Sequence, residues 1–329
     1  MKQRGNTGKW LRLNFYGRMN VAVCNFLHQT MLTTIAFLER KITKVMDNII
    51  SFIQSIILGI VEGITEFLPV SSTGHLVIFE NLLGFEGTTP SFVEMYTYVI
   101  QLGAILAVIF LYWGKIKDTL INFFPQKVGF EKSGFRFWLM LAIACIPGGV
   151  FGILLNDLTD KYLFTPIVVA FTLFFGGIWM IYAESKFRNN KLGGGGDELN
   201  VTVKQALIIG SFQVLAIIPG MSRSASTIIG GWVAGLSTVA AAEFSFFLAI
   251  PVMVGMSFLK IVKIGGFSSL TTEEIISLVI GFVVSFLVAM VVIKKFIAYL
   301  QKKPMKVFAY YRMIFAIIVL VAGIAGFFG

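Results

Sequence analysis

The sequence predicts an all-α integral membrane protein, a polytopic helical bundle. Of its 329 residues, 57% are hydrophobic and only 13% are charged, and the mean hydropathy is +0.84. This apolar share lies far above that of an ordinary soluble domain. The apolar runs are about 18 to 25 residues long, enough for a helix to cross about 30 Å of hydrocarbon, whereas a membrane β-barrel would show alternating segments about half as long.

The net charge of +10 does not indicate a nucleic-acid partner, because the basic residues fall mainly in short segments between apolar runs, without interleaved stacking aromatics. Such residues are typical of topology signals and of anchors for membrane lipids with anionic head groups. Cys24 and Cys145 have neither a CxxC spacing nor a partner pattern. We expect both to pack as small apolar side chains.

Two of the apolar stretches that follow Met46 are interrupted. The first and the fifth reach a proline within about sixteen residues and then pass into Ser, Thr and Gly, which makes them too short for a simple span. Broken segments in corresponding positions of two halves are typical of binding sites in inverted-repeat membrane proteins. The stretches cover residues 49–68, 92–113, 137–155, 163–183, 205–220, 238–262, 275–293 and 307–328.

The two broken segments align as an internal repeat, "QSIILGIVEGITEFLPVSSTG" with "QALIIGSFQVLAIIPGMSRS". With one gap, the aligned pairs are Gln54 with Gln205, Gly59 with Gly210, Glu62 with Gln213, Pro69 with Pro219, and Ser72 with Ser222. The sequence therefore predicts two inverted-topology repeats, each with a re-entrant broken helix pair plus three transmembrane helices. An odd number of spans in the first repeat inverts the second.

The charges agree with an inverted second half. Basic loops follow the second, fourth and seventh apolar stretches, and the positive-inside rule assigns their common side to the cytoplasm. The first broken segment is then expected to open outward and the second inward. The predicted organisation is a basic N-terminal extension at 1–45, a first membrane repeat at 46–192, a Gly-rich linker at 193–203 and a second membrane repeat at 204–329. The N-terminal extension is expected to be an additional membrane span, an interfacial helix, or a segment upstream of a working start at Met46.

The first broken segment contains "EGITEFLPVSSTGH", residues 62–75. Glu62 and Glu66 are four apart, which places both carboxylates on one helix face, and each ionised group near mid-bilayer costs about 2.5 to 3.5 kcal/mol. This cost favours a chemical role, unless both acids face water at the interface. His75 is either a structural ring or a catalytic group, and the two nearby acids favour the second reading. The hydroxyls of residues 71–73 follow Pro69 and are expected to cap a helix whose free N–H groups bind an anion.

The second broken segment contains "PGMSRSAST", residues 219–227, which is typical of a phosphate cradle. A glycine turn, an arginine and several hydroxyls open a helix, so that backbone N–H groups and a guanidinium can converge on phosphate oxygens. The alternative is a polar turn whose arginine reaches lipid head groups. If the two segments enter from opposite faces, Arg223 meets Glu62 and Glu66 at mid-membrane.

These two stretches resemble the signature motifs of the undecaprenyl-diphosphate phosphatase family, the bacitracin-resistance membrane phosphatases. The first is similar to its (E/Q)xxxE motif and the second to its PGxSRSxxT motif, and the resemblance covers roughly residues 46–329. It implies hydrolysis of undecaprenyl diphosphate to undecaprenyl phosphate and inorganic phosphate, which recycles the carrier lipid of peptidoglycan synthesis and confers bacitracin resistance. It also implies a multi-pass protein of the bacterial cytoplasmic (inner) membrane, with an active site that faces outward.

The resemblance, together with the anion sites expected at the two helix starts, predicts roles for individual residues. The catalytic residues are expected to be Glu62, Glu66, Ser72, His75 and Arg223, and the substrate-binding residues Ser71, Thr73, Ser222, Ser224, Thr227 and Gly220. A divalent cation, Mg²⁺ or Ca²⁺, is expected on Glu62 and Glu66, which offer hard oxygen ligands beside the diphosphate. Ser72 is the preferred nucleophile, with His75 or Glu66 as its base, and attack by His75 or by an activated water stays open.

Other function classes stay open as well. A secondary transporter or flippase for a polyprenyl phosphate lipid shares the inverted-repeat architecture. Against it, the polar residues concentrate in one cluster and no polar stripe continues along the other spans. A phosphohistidine lipid phosphatase would need a second histidine after Arg223, and the chain has none there. The sequence is silent on oligomeric state, and a homodimer is one alternative.

Overall fold

The computed structural model describes residues 7–87, 89–163, 165–188 and 200–326. The regular elements in these ranges are helices, and no strand occurs among them. Seven of the described helices are long and apolar enough to cross a membrane. The prediction of an all-α, polytopic membrane protein is therefore confirmed.

The α-helices of the described ranges are α1 (Thr7–Thr65), α2 (Ser72–Leu83), α3 (Phe92–Leu111), α4 (Trp113–Ile121), α5 (Pro125–Val128), α6 (Gly134–Tyr162), α7 (Pro166–Phe187), α8 (Val203–Gln213), α9 (Arg223–Val233), α10 (Thr238–Ile264), α11 (Thr272–Leu300) and α12 (Lys306–Ile324). Short 3₁₀ turns lie at Phe130–Lys132, Val214–Ile217 and Gly266–Ser269. As predicted, α8 is too short to cross a membrane, even together with the 3₁₀ turn that follows it. The same prediction for the first interrupted stretch is wrong, because that stretch is the end of α1, whose segment His28–Thr65 is long and apolar enough to cross a membrane.

The chain divides into two compact units, residues 1–51 and residues 52–329. In the first unit, the predicted extension at 1–45 is helical from Thr7 onward, and its described side chains are exposed. The predicted linker at 193–203 lies outside the described residues except for its last four positions, 200–203.

In the second unit, helices pack closely against one another through small residues. Helix α3 lies against α11, α7 against α12, and α8 against both α6 and α9. A Cβ on Gly103 of α3 would collide with the carbonyl oxygen of Phe282, and one on Gly210 of α8 with that of Ala144. Glycine at these points lets the backbones approach closely, as is common between membrane helices.

Helix α9 lies at the centre of this unit. All its residues from Ser224 to Trp232 are buried, and it contacts α7, α8 and α10. A helix that is buried all round needs no polar face. The hydroxyls at its start therefore lie in the protein interior, where each requires a partner.

Candidate active site

The first broken segment reverses between the end of α1 at Thr65 and the start of α2 at Ser72. Pro69 lies inside this turn, where its ring cannot continue the helix. Ser71 has φ of 72°, a left-handed conformation that is rare for residues other than glycine. Its hydroxyl accepts a hydrogen bond from the backbone N–H of Gly74 at 3.3 Å, so it caps α2 as the sequence predicts.

The second broken segment makes the same kind of turn. Helix α8 ends at Gln213, a 3₁₀ turn follows, and α9 begins at Arg223. Ser222 has φ of 74°, and its hydroxyl accepts a hydrogen bond from the backbone N–H of Ala225 at 3.3 Å. Within the described ranges, Ser71 and Ser222 are the only non-glycine residues with positive φ. The two turns therefore share an unusual backbone conformation.

A glutamine in each half ties the entering helix to the end of the returning helix. The Gln54 side chain donates to the carbonyl oxygen of Leu83 at 2.7 Å, and the Gln205 side chain donates to that of Ala234 at 3.1 Å. Both hydrogen bonds join residues that are 29 positions apart. The two broken segments thus match in local geometry, while the inverted orientation of the second half stays a prediction.

The predicted pairing of Ser72 with Ser222 is wrong by one residue. The two positive-φ caps make Ser71 the counterpart of Ser222, and the same sequence offset relates the two glutamine hydrogen bonds, so no gap is needed. The alignment by sequence identity differs because the two prolines stand at different positions of their turns. Ser72 is instead the counterpart of Arg223, since each is the first residue of its helix.

The two turns meet at Glu66. Its Oε2 accepts a hydrogen bond from the Ser72 hydroxyl at 2.6 Å, and its Oε1 accepts one from Arg223 Nη2 at 2.9 Å. The Ser224 hydroxyl adds a direct link between the turns, because it donates to the carbonyl oxygen of Leu68 at 2.8 Å. The structure therefore brings Glu66, Ser72 and Arg223 into one buried cluster.

This cluster has the geometry of a nucleophile beside its base. An ionised carboxylate only accepts hydrogen bonds, so the Ser72 proton lies toward Glu66. Arg223 is oriented by a second contact, from its Nη1 to the carbonyl oxygen of Ser245 at 2.9 Å. A guanidinium held in this way supplies fixed positive charge where a phosphate would carry negative charge.

Glu62 lies one helical turn before Glu66 and is fully buried. Neither of its carboxylate oxygens has a hydrogen-bond donor among the described residues. Buried carboxylates normally pair or coordinate a metal, and oxygen ligands suit Mg²⁺ and Ca²⁺. The described residues contain no group of three or more His, Cys, Asp or Glu side chains that could hold a metal alone. A cation at Glu62 and Glu66 would therefore need oxygens from a bound phosphate as well.

His75 is held by contacts at both ring nitrogens. Its Nδ1 lies 2.7 Å from the carbonyl oxygen of Ser71, and its Nε2 lies 2.9 Å from the Tyr311 hydroxyl. Because a carbonyl only accepts, Nδ1 carries a proton, and in the neutral ring Nε2 then accepts from Tyr311. The ring also stacks on Phe315, with centroids 4.4 Å apart. These contacts favour Glu66 over His75 as the base for Ser72, and a direct catalytic role for His75 stays a prediction.

The other predicted site residues lie in the turns and at the helix starts. The Thr227 hydroxyl donates to the carbonyl oxygen of Arg223 at 2.8 Å and pairs with Ser245 Oγ at 2.6 Å, so it stabilises the first turn of α9. Ser222 Oγ lies 3.1 Å from Ser224 Oγ. Thr73, in the first turn of α2, is half-buried. Substrate binding by these hydroxyls stays a prediction.

Gly220 occupies a position in the second turn that only glycine fits. Its φ is 95°, and a Cβ there would collide with Thr172 Oγ1. Gly220→Ala is expected to lower the melting temperature and to abolish most catalytic activity, because the strain of about 1 to 3 kcal/mol adds to the collision. Gly235→Ala is the matched control, since Gly235 has φ of 87° but open space around it. Equal losses in the two variants would show that the collision is unimportant.

Sequence reasoning missed three residues that the structure places around this cluster. Tyr311 and Arg312 lie on α12, and Arg312 is fully buried against both turns. Ser245 of α10 contacts Arg223 and Thr227. Arg312 could have been found, because it is the one charged residue in the apolar stretch 307–328. Tyr311 and Ser245 carry no such signal.

Comparison with known proteins finds one family model, described as "Bacitracin resistance protein BacA", that matches residues 55–318. A protein of Ruminiclostridium cellulolyticum named undecaprenyl-diphosphatase is 68% identical over 283 residues, which cover 86% of this chain and 100% of the relative. A protein of Clostridium novyi with the same name is 51% identical over 84% of this chain and 97% of the relative. A Clostridium acetobutylicum protein named undecaprenyl-diphosphatase 2 is 47% identical over 84% of this chain and 97% of the relative.

Proposed function

We propose that this chain, which belongs to the bacitracin resistance protein BacA family, is an undecaprenyl-diphosphatase that converts undecaprenyl diphosphate into undecaprenyl phosphate and inorganic phosphate. One structural observation supports this proposal in addition to the family match. Glu66 binds a serine hydroxyl through one oxygen and an arginine through the other, in a buried cluster at the start of two helices. A hydroxyl, a base and a fixed cation are what phosphoryl transfer requires.

The diphosphate is bound by Arg223 and by free N–H groups in the first turns of α2 and α9. Helix N-termini favour anions, and two of them converge here. Both begin after a positive-φ serine, Ser71 or Ser222, so their N–H groups are fixed before the substrate arrives. Binding of this kind holds the terminal phosphorus in line with the Ser72 oxygen.

The chemistry then needs two steps. In the first, Ser72 Oγ forms a bond to the terminal phosphorus, its proton passes to Glu66, and the bond from that phosphorus to the bridging oxygen breaks to release undecaprenyl phosphate. In the second, after Glu66 has passed the first proton to the departing undecaprenyl phosphate, water attacks the phosphoserine and its proton passes to Glu66. The bond from phosphorus to Ser72 Oγ breaks, Glu66 returns the proton to that oxygen, and inorganic phosphate leaves. Arg223 neutralises the charge that develops on the phosphoryl oxygens in both steps.

We also propose that the activity depends on Mg²⁺ or Ca²⁺ held by Glu62, Glu66 and oxygens of the substrate. The orphaned oxygens of Glu62 support this assignment. When bound, the cation would neutralise diphosphate charge and orient its oxygens.

Removal of divalent cations by a chelator is expected to abolish phosphate release, and added Mg²⁺ or Ca²⁺ is expected to restore it. Glu62→Gln is expected to raise the cation concentration that gives half-maximal activity, because it weakens a carboxylate ligand. Glu94→Gln is the matched control, since Glu94 is partly exposed and pairs with Lys260. Full activity in the presence of excess chelator would contradict the proposed cation.

We propose that this multi-pass membrane protein lies in the bacterial cytoplasmic membrane with the site open to the outer face, where it recycles the carrier lipid of cell-wall synthesis. The basic segments after α3, α7 and α11 support the orientation, because such loops face the cytoplasm. The homodimer alternative stays a prediction, since Glu66, Ser72 and Arg223 all come from one chain.

Purified protein in detergent tests the proposed function. It is expected to release inorganic phosphate from undecaprenyl diphosphate, and bacteria that carry the gene on a plasmid are expected to tolerate more bacitracin. A transporter or flippase would instead move a polyprenyl phosphate lipid from one leaflet of a vesicle membrane to the other without releasing phosphate. No release from folded protein with divalent cation present would contradict the phosphatase assignment.

A further inference from the structure

Arg312 on α12 contacts the backbones of both turns. Its Nη1 donates to the carbonyl oxygen of Met221 at 3.2 Å and lies 3.5 Å from that of Pro69, and its Nη2 donates to that of Gly220. Pro69 belongs to the first turn, whereas Gly220 and Met221 belong to the second. We propose that Arg312 is a positioning residue that aligns the two turns so that Ser72 and Arg223 converge on Glu66.

The burial of Arg312 shows that these contacts matter to the fold. Its side chain is fully buried, and its described hydrogen-bond partners are carbonyl oxygens, with no carboxylate among them. A guanidinium in the membrane interior is costly unless its donors are satisfied, and here both terminal nitrogens have carbonyl partners whereas Nε has none among the described residues. The rigid fork of an arginine can reach several carbonyls at once, which the single ammonium group of a lysine cannot do with the same geometry.

The neighbouring helix is shaped to admit this side chain. A Cβ on Gly176 of α7 would collide with Arg312 Nη2. The same helix supports the second turn directly, because the Thr172 hydroxyl donates to the carbonyl oxygen of Pro219. Helices α7 and α12 pack together along their lengths. These two helices support the turns, and Arg312 is the charged residue through which α12 contacts both of them.

The contact points lie close to the reacting groups along the chain. Pro69 is three residues before Ser72, and Met221 is two residues before Arg223. Arg312 also engages carbonyl oxygens, which leaves the N–H groups of α2 and α9 for an anion. A shift of either turn by about 1 Å is enough to lower a rate by about 100-fold. Arg312 does not touch the reacting atoms in this arrangement, so it acts through the turns.

The proposal rests on the proposed phosphatase function, and kinetics of purified variants test it. Arg312→Met is expected to lower kcat by about 100-fold while KM changes by less than about threefold, because alignment and not binding is lost. Arg312→Lys keeps the charge and is expected to recover part of kcat. The matched control is Arg188→Met, since Arg188 donates to Glu184 and to the carbonyl oxygen of Lys303, away from both turns. Its kcat is expected to be unchanged.

Hydrogen–deuterium exchange followed by mass spectrometry supplies a readout that does not need activity. Arg312→Lys is expected to speed amide exchange in residues 66–75 and 219–227 together, with the other helices unchanged. A kcat for Arg312→Met within about twofold of the wild type would overturn the proposal. So would a large rise in KM with kcat unchanged, which would make Arg312 a direct phosphate ligand. If Arg312→Met does not fold, the lysine variant and its exchange pattern decide. A wild-type protein that releases no phosphate would instead overturn the proposed function.

Discussion

Ser72→Ala is expected to lower the rate of phosphate release from undecaprenyl diphosphate by about 10⁴-fold or more, because the attacking oxygen is lost. The fold is expected to survive, since the pair between Glu66 and Arg223 does not involve the serine. The measurement is the initial rate of phosphate release by purified protein in detergent. The melting temperature of the same sample shows whether the variant is folded.

Ser257→Ala is the matched control for this variant. Ser257 is a fully buried serine on α10 whose hydroxyl donates to the carbonyl oxygen of Tyr98 at 3.3 Å. Its loss removes a hydrogen bond worth about 0.5 to 1.5 kcal/mol and no part of the cluster, so the rate is expected to stay near that of the wild type. A rate for Ser72→Ala within about tenfold of the wild type would indicate that water attacks the phosphorus directly.

Glu66→Gln is expected to lower the rate of phosphate release by about 10²- to 10⁴-fold, because it removes the base for Ser72. It is also expected to destabilise the protein by about 3 to 5 kcal/mol, since Arg223 then keeps its charge in a buried site without the carboxylate that it contacts. The double variant Glu66→Gln, Arg223→Met is expected to be less destabilised than the sum of the two single variants. Rates and melting temperatures of the four proteins in the cycle measure both effects.

The pair between Lys115 and Glu243 provides the control for this cycle. Its 2.9 Å distance equals that of the pair between Glu66 and Arg223, and Glu243 is buried like Glu66, but the Lys115 side chain that would stay charged is 37% exposed and reaches water. Glu243→Gln is therefore expected to cost about 0 to 1 kcal/mol and to leave the rate of phosphate release unchanged. If Glu66→Gln destabilised the protein no more than Glu243→Gln does, Glu66 and Arg223 would not form a buried pair.

Much of the fold is predictable because the membrane restricts which segments can span it, namely helices of sufficient apolar length. Apolar length identifies six of the long helices, and the early prolines identify both broken segments. The position of α9 at the centre of the second unit is not predictable in this way. Its burial depends on three neighbouring helices, and no local pattern encodes how they pack.

The sequence predicts the charged residues of the candidate site, because a charged side chain in an apolar membrane segment needs a partner. Glu66 and Arg223 are identifiable in the sequence because an unpaired charge is costly in an apolar segment, and the structure pairs them. The register of the repeat was wrong because sequence identity at proline is a weaker guide than the backbone conformation of Ser71 and Ser222. The contact between the Tyr311 hydroxyl and His75 Nε2 is not predictable from local sequence, since the two residues are 236 positions apart.

Mass spectrometry of the protein after rapid acid quenching of turnover tests the central claim most directly. The account predicts a phosphate on Ser72 in the wild type, none in Ser72→Ala, and a phosphate that persists in His75→Ala. The predicted phosphoserine follows from the hydrogen bond of 2.6 Å between Ser72 Oγ and Glu66. A phosphate found on His75 instead of Ser72, or turnover of the wild type with no phosphorylated residue at any quench time, would contradict the account.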